Sequence, residues 1–186
     1  MIQTYLKKSN KRYMKRISII VLLILYTEGF AFDSLIIKVK KEQSIRLLKR
    51  YETFQSRPYK LGGYWFIGYG HLTKDSISII TEEKADSLLR LDFKRNLVHF
   101  KQNKPADRAF LLALLSFNIG VGKVLKSPLY LNNLSNEEFV NKYKRYCYFK
   151  GKFHNGIYRR RLAELNIWID ESKLDKQERT CKKEKH

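Results

Sequence analysis

The sequence predicts an α+β fold, with a small sheet near the start and a larger helical part after it. Two observations lead there. Between Tyr59 and Ile79, aromatic residues sit among glycines at positions 62, 63, 68 and 70, a pattern that favours short strands joined by tight turns. From Thr81 onward, apolar residues recur at spacings of three and four, which is the period of a helix buried on one face. Strands followed by a run of helices indicate α+β rather than alternating α/β architecture. With 186 residues, 44% of them apolar, the chain can build one core, placed here at residues 32–170.

The first 31 residues read as a leader. Lys7-Lys8, Lys11-Arg12 and Lys15-Arg16 precede an apolar run from Ile17 to Tyr26, and Gly29-Phe30-Ala31 supplies the small residues of a cleavage site. This is the pattern of a signal peptide. It places the rest of the chain in the periplasm, the cell envelope or the medium, with an uncleaved membrane anchor as the lesser alternative because the apolar run is short of about 20 residues. Residues 171–186 form a charged tail expected to lack fixed structure.

Between these ends, Leu35, Ile36, Val39, Ile45, Leu47 and Leu48 predict an amphipathic helix from Ser34 to Tyr51, which puts Glu52 at or just past its end. A sheet from Tyr59 to Ile79 follows. Thr81 with Glu82 and Glu83 reads as an N-cap with acids in the first turn, and Ala85, Leu88, Leu89 and Phe93 form that helix's inward face. Asp107 to Phe117 is apolar on several faces, as a helix at the centre of a core would be, and Gly120 and Gly122 are expected to end it. Ser127-Pro128 begins a loop. Ser135 starts a further helix with Phe139, Tyr143 and Tyr146 inward, Gly151 to Gly156 breaks the pattern, and a last helix runs from Ile157 with Leu162, Leu165, Trp168 and Ile169 inward.

The formal charge is +20, from 38 Lys and Arg against 18 Asp and Glu. Loss of the leader removes six basic residues and Glu28, leaving 32 minus 17, or +15. Such a charge attracts polyanions in a salt-dependent way. Export directs that expectation to anionic envelope polymers and away from nucleic acid. Cys147 and Cys181 are the only cysteines, and Cys181 lies in the tail, so Cys147 is expected as a buried thiol. No H-E-x-x-H or paired-cysteine spacing is present, and no metal or cofactor is implied.

Four segments, in order, carry a resemblance: Ile67-Gly68-Tyr69-Gly70-His71-Leu72-Thr73, the T-x-x-x-A-x-x-L-L-x-x-D spacing from Thr81 to Asp92, Ser116-Phe117-Asn118-Ile119-Gly120-Val121-Gly122, and Gly156-Ile157-Tyr158-Arg159-Arg160-Arg161-Leu162-Ala163-Glu164. Together they resemble phage-type lysozymes of glycoside hydrolase family 24 over about Ile45 to Ile169. The resemblance implies a lysozyme-like fold and a muramidase that cuts the glycan backbone of peptidoglycan; the chain is expected to be a monomer. The lesser alternative is a module that binds peptidoglycan without cleaving it.

For the site, the resemblance implies Glu52 as general acid, with Phe54, Tyr59 and Trp65 as its apolar surroundings. Tyr69 is expected to turn its ring edge to the cleft, Asn118 to meet an N-acetyl group, and His71 to pair with Asp92 as a structural tie. The family's second acid is missing: counted from Glu52 it falls at Leu61, and counted back from Ile67 it falls at Lys60, while Phe66 takes the place of the usual Thr. Asp75 is the nearest downstream acid and is a substrate-side candidate. Arg160 and Arg161 are expected to be structural, with Arg161 and Glu164 as a helix-surface pair.

Overall fold

The computed structural model describes residues 33–169. The leader and the charged tail inferred from the sequence lie outside them. The chain divides into two units, Met1–Lys40 and Lys41–His186. In the first, residues 33–40 are helical, as the apolar recurrence predicts, and Leu35, Ile36, Ile37 and Val39 are exposed.

In the second unit, residues 41–52 are helical (α1), and this helix ends at Glu52 and buries Ser44, Ile45 and Leu48. Three antiparallel strands follow in the order β1 (Gln55–Leu61), β2 (Tyr64–Gly68) and β3 (His71–Thr73). Tyr59 pairs with Phe66 and Lys60 with Trp65 across the first hairpin, while Ile67 pairs with His71 across the second. The sheet thus starts and stops earlier than expected. Asp75 explains the early stop, because its carboxylate accepts the backbone N–H groups of Ile77 and Ser78 and closes a turn where a further strand would run.

Gly68 is where the sheet meets helix α2 (Glu82–Lys101). Its φ is +67°, and a Cβ there would lie 2.9 Å from the Cβ of Ala85, so no other residue fits this approach without displacement. Thr81 caps α2, accepting from Lys84 N–H, and Ala85, Leu89, Phe93 and Phe100 are its buried face.

Helix α3 (Ala106–Ile119) is the centre of the core. Every residue from Ala109 to Ser116 is buried, so the all-round apolar pattern is a consequence of contact on all sides. Gly120, at φ +85°, ends α3, but Gly122 does not act as a second stop and lies inside helix α4 (Val121–Leu125). The loop expected from Ser127 is a short helix, α5 (Pro128–Leu131), started by a proline whose missing N–H is harmless in a first turn.

Helix α6 (Asn136–Lys144) has a full capping box, in which Ser135 and Glu138 satisfy each other's backbone N–H groups. The expected break holds a two-strand hairpin, β4 (Tyr148–Phe149) and β5 (Lys152–Phe153), with Cys147 buried and unpaired just before it. Helix α7 (Asn155–Trp168) closes the chain, its start capped by the His154 ring. Trp168 stacks on Phe110 of α3 with ring centroids 3.9 Å apart and donates its indole N–H to Ser44 of α1 at 2.9 Å. The last helix is thereby fixed against both the central and the first.

Candidate active site

Glu52 is the final residue of α1, and its side chain remains 24% exposed. One carboxylate oxygen, Oε1, accepts a hydrogen bond from Arg160 Nη1 at 2.8 Å. The other, Oε2, is directed toward the β2–β3 turn, where a Cβ on Gly70 would lie 3.9 Å away. Gly70 itself has φ +83°, a left-handed turn conformation that favours glycine, and a Cβ at that distance would be an ordinary contact with the carboxylate.

Arg160 reaches Glu52 from α7 and is itself buried. Its guanidinium lies over the Tyr51 ring at 5.4 Å, and its Nε donates to Glu164 Oε1 at 3.1 Å. Burial alone would lower its pKa, but the charges of Glu164 and Glu52 outweigh burial and raise it, so the group is a permanent cation beside the acid. Glu164 is fully buried and also receives Arg161 Nη2 at 3.2 Å and the Tyr143 hydroxyl at 2.8 Å. Burial, and then the nearby Glu164 charge, hold the Tyr143 phenol well above its ordinary value, so it remains a donor.

Arg161 and Glu164 are therefore a core pair and not the surface pair expected from their spacing. Two arginines and a glutamate read as exposed in a sequence because burying any one alone is costly, and only their mutual compensation with Tyr143 and Glu52 makes it possible. The contact of Arg160 with Glu52 was missed. The signal available in the sequence was Arg160 and Glu164 four apart on one helix face, which gives no hint of a third partner 108 residues away.

The hairpin is fastened to α2 at two points. His71 Nδ1 lies 2.7 Å from Asp92 Oδ2, with both side chains about one-fifth exposed. Tyr69 donates its hydroxyl to Glu82 at 2.6 Å and packs against Phe54. At 5% exposure Tyr69 has no ring edge for a sugar, so the expectation of a cleft residue is corrected to a buried fastening. Lys49 of α1 joins this corner, 3.2 Å from Glu82 and 3.3 Å from Asp86.

Asn118 is exposed in the last turn of α3. Asp75 is exposed too, but its carboxylate serves its own turn, accepting from Ile77 N–H, Ser78 N–H and the Ser78 hydroxyl, and these bonds hold its pKa below the ordinary value. Leu61 and Lys60 occupy the end of β1, both exposed. Tyr59, on the same strand, has its phenol raised by burial first and by the Glu52 charge second, so it stays protonated in front of the acid. No Asp or Glu occurs between Glu52 and Asp75, so the sheet offers only neutral and basic side chains.

A small antiparallel sheet leading into a helical core, with a lone glutamate at the end of the helix that precedes the sheet, defines the lysozyme-like α+β class. The chain belongs to the phage lysozyme family, whose model matches residues 49–164. It is 31% identical over 139 residues to an endolysin of Bacillus phage B103, covering 69% of this chain and 53% of that protein. The chain thus spans about half the length of that curated relative. Among solved structures it is similar to the muramidase domain of SpmX from Asticaccaulis excentricus, at 25% identity and a TM-score of 0.56, covering 68% of this chain and 95% of that one. An endolysin from Escherichia coli O157:H7 phage FAHEc1 shares the fold at 21% identity and a TM-score of 0.53, covering 69% and 92%.

Proposed function

We propose that this protein is a muramidase that cleaves the glycan backbone of peptidoglycan, with Glu52 as the general acid. The observation that supports it most strongly is the Glu52 carboxyl at the end of α1, about one-quarter exposed, beside the β2–β3 glycine turn and backed by Arg160, in a chain of this family. A carboxyl so placed can be reached by a glycosidic oxygen and can pass it a proton as the bond breaks.

The acid-free sheet bears on the second half of the reaction. An inverting hydrolase needs a second carboxyl about 6.5–9.5 Å from the first, and neither Leu61 nor Lys60 provides one. Two routes meet this composition equally: a base brought from outside the sheet, or assistance by the N-acetyl oxygen of the sugar itself, which needs one protein acid. Asn118 is assigned to an N-acetyl group in either case. The +15 form without its leader would be drawn to anionic envelope polymers, and a monomer suffices for the chemistry.

The test is cleavage of purified sacculi by residues 32–186 and by their Glu52→Gln form, with mass analysis of the released muropeptides. Activity should fall about a hundredfold or more in the variant, while binding to sacculi persists. Reducing ends of inverted anomeric configuration would indicate an outside base that activates water, whereas retained reducing ends, or anhydro ends formed by the sugar's own C6 hydroxyl, would indicate assistance by its N-acetyl oxygen. An inactive unmutated protein that still binds sacculi would leave the binding-module reading in its place. Export through residues 1–31 is tested separately, by sequencing the N-terminus of the secreted protein, which should begin at Phe32.

A further inference from the structure

Arg160 is shared between two carboxylates of different standing. Its Nη1 donates to Glu52 at 2.8 Å, at the surface end of the cluster, and its Nε donates to Glu164 at 3.1 Å, at the buried end. Glu164 in turn divides its charge between Arg160 and Arg161, whose Nη2 donates to Oε1 at 3.2 Å and whose Nε lies 3.2 Å from Oε2 without hydrogen-bond alignment. Four formal charges, two of each sign, thus lie in one row, and a change at its buried end alters what Arg160 can offer to Glu52.

The surroundings add little that could mask this coupling. Glu164 faces the Tyr143 hydroxyl from α6, and that hydroxyl also reaches the Leu111 carbonyl of α3 at 3.0 Å. Arg161 lies over the Tyr143 ring at 5.5 Å, and Arg160 over the Tyr51 ring at 5.4 Å. Glu52 faces Arg160 from α7, the protonated Tyr59 phenol from β1 and the backbone at Gly70. Arg160 and Arg161 are the cluster's cations. Arg160 Nη2, Arg161 Nε and Arg161 Nη1 have no aligned acceptor among the described residues, so the row is richer in donors than in acceptors, and Glu164 is the group that holds them.

We infer that Glu164, with Arg161 behind it, is a positioning residue for Glu52, acting through Arg160: the share of Arg160 that Glu164 retains sets how readily Glu52 keeps its proton. The physical argument is charge balance at low local dielectric, where a charge placed or removed a few ångströms away shifts a titration far more than it would in water. Removal of the Glu164 charge leaves Arg160 wholly to Glu52, which favours the carboxylate. Removal of the Arg161 charge does the reverse, because Glu164 then draws on Arg160 alone. A purely structural role would make both changes destabilising without moving Glu52 in opposite directions.

The inference rests on Glu52 as the acid, and its test can be read without turnover. The Glu52 carboxyl is followed by carbon-detected NMR through a pH titration of the protein, assigned with Glu52→Gln. Glu164→Gln should shift the Glu52 midpoint to lower pH by about half a unit or more, and Arg161→Met should shift it to higher pH. Arg161→Lys, which keeps the charge, should restore it toward the unmutated position. The double variant Glu164→Gln/Arg161→Met removes one charge of each sign, suits a buried site better than either single change, and should also shift the midpoint down. A folded Glu164→Gln or double variant with an unmoved or raised midpoint overturns the inference. On wall material, the alkaline limb of the activity profile should move with the midpoint while binding is unchanged. Failure of the unmutated protein to cleave would count against the muramidase reading, whereas the titration would still decide the coupling.

Discussion

Glu52 and Arg160 are 108 residues apart in the chain and 2.8 Å apart in space. Their contact joins the end of α1 to the first turns of α7, and Arg160 carries it while 8% exposed. An arginine that far from solvent depends chiefly on its two carboxylates, with the Tyr51 ring as a further contact. Arg160→Met should therefore lower unfolding free energy by about 3 kcal/mol or more, the scale for removing one member of a buried ion pair. Arg160→Lys should recover part of this in urea titrations, since it restores charge but not the two-way reach of the guanidinium.

The His71–Asp92 contact ties the β2–β3 hairpin to α2. Replacing either residue by Asn should destabilise, and replacing both should cost less than the sum by about 1 kcal/mol, as residues in direct contact show. Thermal unfolding of the four proteins measures the difference. Strict additivity would mean that the contact contributes nothing of its own.

Acid should loosen the joint between α1 and α2. Glu42 accepts both Arg90 Nη groups, at 2.6 and 2.9 Å, and that pairing holds its pKa below the ordinary 4.5. Burial pushes Asp86 up from 3.8, but Arg90 and Lys49 outweigh it and the net shift is downward. Glu82 is lowered first by the Tyr69 hydroxyl and then by Lys49. Folded values below unfolded ones mean stability that is present above about pH 4.5 and is lost as pH falls through the depressed values. Melting temperatures from pH 7 to pH 3 should fall on the acid side, and Arg90→Gln should flatten that fall.

Two glycines allow a comparison at matched backbone strain. Gly62 has φ +57° with nothing within 4 Å of a built Cβ, whereas Gly68, at φ +67°, would meet Ala85 at 2.9 Å. Gly62→Ala should cost about 1–2 kcal/mol, the strain of a left-handed position alone. Gly68→Ala should cost about 1–3 kcal/mol more, because the sheet must also move off α2. Equal losses in chemical denaturation would show that the sheet yields freely there.

Much of this fold was legible because local chemistry and tertiary need agree. Thr81 and Ser135 cap helices as their side chains predict, and the unbroken apolar run around Leu111 to Leu115 belongs to a helix covered on every side. The failures occur where the two diverge. Pro128 was read as a loop residue although it is equally at home in a first turn. At the candidate site, the position of Glu52 before a glycine-rich hairpin was legible, but the buried row behind it was not, because arginine and glutamate enter a core only by mutual compensation that no local window contains.

The clasp of the last helix on the first has a consequence for timing. Glu52–Arg160 and Trp168–Ser44 span 108 and 124 residues, so both wait for nearly the whole chain. A polypeptide that emerges N-terminus first presents its acid long before the arginine exists to meet it. With Glu52 as the proposed acid, the order of synthesis would act as a safety catch: a chain stopped at Gly151 carries the glutamate, the glycine turn and the hairpin, yet lacks the arginine that contacts Glu52, and comparison of that fragment with the full chain on sacculi would measure how complete the catch is.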